Sequence, residues 1–174
     1  MTAVERALGI DVGGTKTLGC VVDVSTGHVI DRIRVDTNAV RGGRRVLAQT
    51  ADVARELRDR HALGDAPVGV SLCEVVDAHG RPASAVTVDW LGLDVAAAFA
   101  DVSDVVVESD VRAAAIAEAE VGAGVGVPQF VYVTVGTGIA HTLVVDGVAH
   151  RGHRGAAVLL GTPPVERVAS GPAI

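Results

Sequence analysis

The order of strand-like and helix-like segments limits the fold of this 174-residue chain more than any other feature. Three segments rich in valine, leucine and isoleucine come first, joined by short turns, and they predict an antiparallel meander. Helical and buried-strand patterns then alternate, and a new pair of strands begins near residue 130. This order is typical of an α/β protein whose sheet mixes parallel and antiparallel neighbours.

The boundaries of the predicted elements follow the hydrophobic period and the turn residues. We expect Gly64 to end the first helix, because glycine is common just after a helix C-terminus. Asp94 is expected in the first turn of a later helix, where a carboxylate suits the helix dipole. The predictions, in chain order, are strands at 6–12, 15–24 and 28–36, a helix at 44–61, a strand at 67–76, an extended piece at 85–90, a helix at 93–102, a strand at 105–107, a helix at 111–121, strands at 130–135 and 139–146, and a helix from 165.

The strand pair after Gln129 resembles the opening strands in its pattern, and this repetition predicts two lobes. We place the boundary between Val107 and Gln129, with a first lobe at residues 1–110 and the start of a second lobe at residues 111–174. Hydrophobic residues make up 49% of the chain, which is enough for a packed core. No apolar run approaches the ~20 residues that a membrane span needs, so no membrane association is expected.

Charge and cysteine usage exclude several classes of partner. The net charge is −6 and the basic residues are scattered, which argues against nucleic-acid binding. No signal-peptide pattern opens the chain, and Cys20 and Cys73 both lie in strand-like segments, so we expect a cytoplasmic protein with reduced, buried thiols. The absence of any Cys-x-x-Cys pair argues against a zinc site built on cysteine.

The first candidate site is a glycine turn between two strands. Gly13 and Gly14 carry no Cβ, so their backbone N–H groups can approach a phosphate. Asp11 can hold a magnesium ion directly or through water, and Thr15 and Lys16 can donate to phosphate oxygens. Lys16 is the only lysine in an arginine-rich chain. A plain hairpin explains the glycine pair about equally well.

A second turn of the same design, formed by Gly136, Thr137 and Gly138, follows the first strand of the later pair. Taken alone, it also has a hairpin interpretation. A nucleotide held between two lobes needs one phosphate-binding turn from each lobe. Two such turns, each opening one half of the chain, are therefore best explained together as phosphate-binding turns.

The third candidate site is Glu108-Ser109-Asp110, at the junction of a buried strand and an alanine-rich helix. Carboxylates in such a position lie at the edge of the sheet, where open α/β folds bind ligands. Asp110 can accept the proton of an attacking hydroxyl group. For the isolated tripeptide a helix N-cap formed by Ser109 or Asp110 is favoured roughly two to one.

These motifs, in this order and at these separations, resemble the ROK family of sugar kinases, repressors and open reading frames. The likeness spans essentially the whole chain, and the combination is far more specific than one glycine turn. The matching segments are Leu8–Lys16, Ser109–Asp110 with Ala113–Ala115 and Glu118, Gly136–Ile139, Asp146–Gly147, Arg151–Gly152, and Glu166 with Ser170–Ala173.

The resemblance implies an actin-like ATPase fold, which is ribonuclease H-like, with ATP bound in the cleft between two lobes. It implies that Asp110 is the general base that deprotonates a sugar hydroxyl and that Asp11 holds Mg²⁺. The two glycine turns and Lys16 are implied to bind the phosphates of ATP. The residues implied to line the sugar pocket are Ser84, Trp90, Ser109 and Glu166.

Several departures from the family pattern bear on these roles. Leu159–Thr162 stands where the family has Glu-x-Gly-His, and the cysteine-rich loop is missing, so no zinc is expected. Ser109 replaces the usual asparagine, and Leu72-Cys73-Glu74 stands where Gly-Pro-Gly is usual. Family members also continue beyond the position of Ile174, so the chain is expected to be an N-terminal portion.

Three functions stay open. The first is an ATP-dependent, glucokinase-like sugar kinase, and the second is a non-catalytic sugar-binding or regulatory remnant, favoured by the departures in the sugar pocket. The third, a transcriptional repressor, ranks last, because a helix-turn-helix would precede the first phosphate motif, and only about seven residues precede Leu8. We expect a homo-oligomer, since the apolar surface of an incomplete lobe favours association.

Overall fold

The structure is a computed structural model that describes residues 5–135 and 139–158. Strands and helices alternate after an opening meander of three strands. The elements, in chain order, are β1 (Arg6–Val12), β2 (Lys16–Asp23), β3 (Val29–Asp36), α1 (Gly43–His61), β4 (Val68–Leu72), β5 (Val105–Ser109), α2 (Asp110–Val121), β6 (Gln129–Val135), β7 (Ile139–Val145) and β8 (Val148–Ala149). The helix predicted from residue 165 lies outside the described residues.

A five-stranded sheet in the order β3-β2-β1-β4-β5 organises the first part of the chain. The first three strands pair antiparallel, because short hairpin turns connect them. Strand β4 pairs parallel to β1, and β5 parallel to β4, since each is reached by a longer connection. The predicted α/β class with a mixed sheet is confirmed.

One apolar face of α1 is buried in the same core as the sheet. Val46, Ala54 and Leu57, at helical spacing, are almost fully buried. They belong to one cluster with Leu8 of β1 and Val70 of β4. Burying an aliphatic side chain contributes roughly 1.5–3 kcal/mol. This core fixes the strands and α1 together and leaves the strand ends to carry polar groups.

The predicted residue that closes the first helix is wrong, although the predicted bounds, 44–61, agree with the structure to within one residue. The helix α1 ends at His61, and Ala62 rather than Gly64 takes the left-handed conformation that closes it, with φ 49°. The N–H of Leu63 then donates to the carbonyl of Arg58 at 3.1 Å. This hydrogen bond satisfies a helix-terminal carbonyl, so the helix closes before the glycine is reached.

The helix predicted at 93–102 is also wrong. Only Ala96–Phe99 is helical, and it forms a single 3₁₀ turn. Asp94 precedes this turn and accepts a hydrogen bond from the N–H of Ala97 at 3.0 Å. The ring of Phe99 is fully buried, and one turn is long enough to place it in the core.

The chain divides into two compact units, Met1–Asp110 and Val111–Ile174. In the second unit β6, β7 and β8 form an antiparallel sheet. Asp146 and Gly147 make the predicted turn between β7 and β8, and both have positive φ angles, 49° and 78°. Among the described residues, no helix has the length and apolar composition needed to cross a membrane.

Among the described residues, the small sheet buries one face, and its edge strand β6 exposes apolar side chains. Ala115 of α2 and Val144 of β7 are buried together in a second, smaller cluster. Alternate residues of β6 have exposed side chains, namely Val131, Val133 and Val135. The second unit therefore has a much smaller described core than the first.

Candidate functional site

The carboxyl ends of three parallel strands meet at one edge of the five-stranded sheet. The register pairs Asp11 of β1 with Ser71 of β4, and Ser71 with Glu108 of β5. Asp110 follows Glu108 by two residues and is the first residue of α2. The first and third sequence motifs therefore end at one edge, the usual position of ligands in open α/β sheets.

The glycine turn between β1 and β2 is held by its own backbone and by a buried pair of threonines. The N–H of Gly13 donates to the carbonyl of Lys16 at 3.0 Å. The hydroxyl of Thr37 donates to the carbonyl of Gly13 at 2.7 Å and lies 2.9 Å from the hydroxyl of Thr17. Both threonines are almost fully buried. The sequence analysis missed Thr37, because Gly13 lies 24 residues earlier in the chain.

This turn presents its polar groups to solvent. Asp11, Thr15 and Lys16 are exposed. Within the described part of the chain, nothing accepts a hydrogen bond from the N–H groups of Gly14 or Thr15. The Oδ1 atom of Asp11 accepts a hydrogen bond from the hydroxyl of Ser71 at 2.7 Å. Backbone donors, a hydroxyl and an ammonium group beside a carboxylate form a donor set that suits phosphate groups.

Asp110 opens α2 with an exposed side chain. The preceding Ser109 is 1% exposed, and its hydroxyl finds no hydrogen-bond partner among the described residues. Ser109 therefore makes no capping hydrogen bond with its side chain there. Further along the helix, the fully buried guanidinium of Arg112 donates to the carbonyl of Gly155 at 2.5 Å. Sequence analysis did not single out this buried anchor of α2.

Two residues expected on the sugar side lie in the segment 84–90, which has no regular secondary structure. The hydroxyl of Ser84 donates to the Glu74 carboxylate and accepts from the N–H of Val75 at 2.9 Å. Trp90 is fully buried, and its Nε1 finds no hydrogen-bond partner in the described ranges. The Ser84 hydroxyl is thus engaged by the protein, whereas the Trp90 indole is packed in the core with its N–H unpaired among the described residues. The roles of both in sugar binding stay predictions.

The thiol of Cys73 lies close to two carboxylates at this edge. Burial, followed by the charges of Glu74 and Asp110, raises the pKa of Cys73 to about 12. Burial also raises the pKa of Cys20. Both thiols are therefore protonated at neutral pH. The carboxylates near Cys73 give this edge a negative potential, which a cation or a basic side chain offsets.

The remaining predicted site residues lie outside the described residues; they are Gly136, Thr137, Gly138 and Glu166. The strands on either side of the second glycine turn are described, since β6 ends at Val135 and β7 begins at Ile139. Within residues 5–135 and 139–158, no group of three or more histidine, cysteine, aspartate or glutamate side chains is arranged to hold a metal ion.

Known proteins resemble the chain in sequence and in fold. A polyphosphate glucokinase of Mycobacterium tuberculosis is 34% identical over 153 residues, which cover 84% of this chain and 56% of that protein. The crystal structure of a ROK family glucokinase from Streptomyces griseus, in complex with glucose and AMPPNP, is 26% identical with a TM-score of 0.84. The alignment covers 97% of this chain and 58% of the glucokinase chain.

A second solved structure is similar at higher identity. The inorganic polyphosphate/ATP-glucomannokinase from Arthrobacter sp. strain KM is 34% identical with a TM-score of 0.80, over 97% of this chain and 69% of that one. The chain spans a little over half the length of the polyphosphate glucokinase that it matches. The sequence model of the ROK family matches residues 7–171, nearly the whole chain. The chain, with its mixed five-stranded sheet and its glycine turn, belongs to the ROK family.

Proposed function

We propose that the protein containing this chain is a sugar kinase that transfers the γ-phosphate of ATP to a hydroxyl group of a hexose. One observation carries the proposal. The strand register brings the Asp11 turn and the end of the strand before Asp110 to the same edge of the sheet. A phosphate-binding turn near an exposed carboxylate is the arrangement that transfer to a hydroxyl requires. The names of the glucokinase relatives support the choice of a hexose as acceptor.

The glycine turn is proposed to bind the phosphate groups of the donor. The N–H groups of Gly14 and Thr15 are directed to no described acceptor, and Lys16 supplies a positive charge beside them. The second turn, Gly136–Gly138, is proposed to bind the donor from the second lobe. Together these groups would stabilise the charge that builds up on the transferred phosphoryl group.

Asp11 is the proposed magnesium ligand. Its exposed carboxylate already accepts the Ser71 hydroxyl through Oδ1, so a hydrated ion held through water suits the remaining oxygen. Carboxylate oxygen is a ligand that Mg²⁺ prefers. When bound, the ion supplies positive charge to the phosphates of the donor.

Asp110 is the proposed general base. Its carboxylate accepts the proton of the sugar hydroxyl, while the hydroxyl oxygen forms a bond to the γ-phosphorus and the bond from phosphorus to the β–γ bridging oxygen breaks, releasing ADP. Aspartate is a weak base in water and becomes effective only when hydrogen-bonded to the hydroxyl in a closed site. Its exposed position supports this role. On the sugar side, Ser84, Trp90, Ser109 and Glu166 are the proposed pocket residues.

The proposal is tested by measuring sugar-phosphate formation by the purified protein. Glucose, mannose and amino sugars are offered with ATP or inorganic polyphosphate, since two relatives are named for polyphosphate. We expect transfer to a hexose that the variant Asp110→Asn lowers by roughly 10²–10⁴-fold without unfolding the protein. Equal turnover by both proteins, or none with any pair of substrates, would contradict the kinase proposal.

A non-catalytic sugar-binding role is the second candidate. It is favoured by the departures from the family pattern on the sugar side, where Leu72-Cys73-Glu74 stands in place of Gly-Pro-Gly and Ser109 in place of asparagine. Calorimetric binding of a hexose with no turnover by any donor would support this candidate over the kinase.

We also propose that the protein is cytoplasmic, where ATP is available, and that it forms homo-oligomers. The exposed valines of β6 support association, because exposed apolar residues at a sheet edge favour pairing with another chain. Sedimentation equilibrium of the purified protein tests the oligomeric state. A monomer across the micromolar range would contradict this part of the proposal.

A further inference from the structure

Glu74 is a buried carboxylate that binds the backbone of an irregular segment. It is 6% exposed and follows β4 by two residues. Its Oε1 accepts hydrogen bonds from the N–H groups of Thr87 at 2.6 Å and Val88 at 3.1 Å. Its Oε2 accepts from the N–H of Val86 at 3.0 Å and from the hydroxyl of Ser84. All four partners are donors, the hydrogen-bonding pattern of an ionised carboxylate, and both oxygens are satisfied despite burial.

Two glycine contacts hold the same segment from other sides. Thr87 lies against the phosphate turn, because a Cβ added at Gly14 would stand 2.2 Å from its Cγ2. Two residues later, a Cβ added at Gly43 would stand 1.9 Å from the carbonyl oxygen of Asp89. Approaches this close require glycine. The segment 84–89 is therefore held against the glycine turn and against the first residue of α1.

The N–H groups of residues 86–88 depend on Glu74 for their hydrogen bonds. Without a carboxylate, the N–H groups of residues 86–88 would lose the acceptor that this chain supplies, since no strand pairs with them in the described structure. We call Glu74 and its four donors the Glu74 clamp.

We propose that Glu74 is a positioning residue for phosphate transfer, whose clamp fixes residues 84–88 and so keeps Thr87 against the Gly14 turn. The inference rests on the proposed kinase function, which assigns the segment containing Ser84 to the sugar and Gly14 to the donor. Transfer depends steeply on the alignment of the two reactants, whereas binding of one reactant alone does not. Loss of the clamp therefore lowers kcat more than it weakens donor binding.

The variant Glu74→Gln tests the inference, because one acceptor oxygen becomes an NH₂ group that faces two donors. Hydrogen exchange measured by NMR should show the N–H groups of Val86, Thr87 and Val88 exchanging about tenfold faster or more. In steady-state kinetics, kcat should fall about tenfold while KM for the phosphate donor stays within about twofold. Glu74→Asp, which keeps the charge and both oxygens, should restore part of kcat.

Asp77→Asn is the matched control. Asp77 also accepts backbone hydrogen bonds through Oδ1, from the N–H groups of His79 at 2.8 Å and Arg81 at 2.9 Å, but it serves the neighbouring turn. This variant should leave both kcat and the exchange of residues 86–88 unchanged. If Glu74→Gln fails to fold, Glu74→Asp, which shortens the side chain but keeps both acceptor oxygens, permits the same two measurements, with a smaller increase in exchange and a smaller fall in kcat.

Two results would overturn the inference. Unchanged exchange at residues 86–88 in Glu74→Gln would show that the clamp does not hold the segment. Faster exchange with unchanged kcat would make Glu74 a purely structural residue. Absence of transfer by the wild-type protein is a different result, because it removes the kinase function itself, and the positioning role with it, while the exchange data still report on the hydrogen bonds.

Discussion

The open edge of the sheet and the segment 84–90 use polar groups in opposite ways. At the open edge, Asp11, Lys16 and Asp110 are exposed at the ends of strands. In the segment, Glu74 is buried, and each of its oxygens accepts two hydrogen bonds from the protein. The first arrangement presents charged groups to a ligand. The second uses both carboxylate oxygens to hold the backbone of the segment in place.

This difference separates the expected effects of substitution. A polar side chain exposed at the strand ends contributes little to packing, so its loss should change activity and leave stability nearly unaltered. A residue in close contact with the segment is part of the fold, so its loss should lower stability first. The predictions below test this separation, beginning with the largest expected effect.

Gly43→Ala should give the largest effect, and on stability. The added Cβ would stand 1.9 Å from the carbonyl oxygen of Asp89, and a backbone atom cannot rotate away as a side chain does. We expect a loss of about 3 kcal/mol in the free energy of unfolding, measured by urea denaturation. Gly69→Ala is the control, because its Cβ would meet nothing within 4 Å. Equal stability of the two variants would mean that the segment is not held at Asp89.

Lys16→Ala should give the next largest effect, which concerns the binding of the phosphate donor. Loss of a charge-assisted hydrogen bond to phosphate should raise KM for the donor by about 10- to 100-fold. The melting temperature should stay unchanged, since Lys16 is exposed. Lys16→Arg, which keeps the charge, should recover part of the loss. An unchanged KM for the donor in Lys16→Ala would contradict the proposal that the glycine turn binds the phosphate donor.

Ser71→Ala should have a moderate effect on activity. The hydroxyl of Ser71 donates to Oδ1 of Asp11 at 2.7 Å and fixes the carboxylate in one orientation. Its loss should lower kcat/KM about fivefold in the sugar-phosphate assay, the value of one modest hydrogen bond. Ser25→Ala is the control, because it removes a similar hydrogen bond to Asp23 at the other end of β2, and it should leave kcat/KM unchanged. Wild-type kinetics in Ser71→Ala would contradict the claim that the orientation of Asp11 by Ser71 matters for the reaction.

The last prediction concerns the chemical reactivity of the Cys73 thiol. Burial and the charges of Glu74 and Asp110 raise its thiol pKa to about 12, so the reactive thiolate is scarce at pH 8. In a Cys20→Ser background, alkylation should be far slower in the folded than in the urea-unfolded protein. Because the folded pKa is raised, the rate should keep increasing with pH beyond 9 and level off only near 12. A plateau near pH 9 would contradict the burial of the thiol beside the two carboxylates.

The sequence could predict the open edge because its signals are local. The turn from Asp11 to Lys16 and the strand predicted at 105–107 are recognisable within a few residues, and the hydrophobic period gives the strands around them. The pairing of Asp11 with Ser71, 60 residues apart, follows from packing of the whole sheet. A list of elements predicts that a sheet forms, whereas register requires its three-dimensional contacts.

The held segment could not be predicted in the same way. Glu74 bonds to residues 10 to 14 positions later, across a turn and with no strand or helix to set the spacing. In the sequence it was visible only as a departure from the family pattern. Thr37 is similar, because its hydroxyl supports Gly13 across 24 residues. Side chains that bind distant backbone leave no period in the sequence, so only the fold shows them.

The most direct test of the account is a crystal structure of the protein with AMPPNP and a hexose that it phosphorylates. We expect the phosphates of the nucleotide to contact the N–H groups of Gly14 and Thr15. A sugar hydroxyl should lie within about 2.6–3.2 Å of the Asp110 carboxylate. Nucleotide bound away from the Asp11 turn, or a sugar with no hydroxyl near Asp110, would contradict the proposed kinase site.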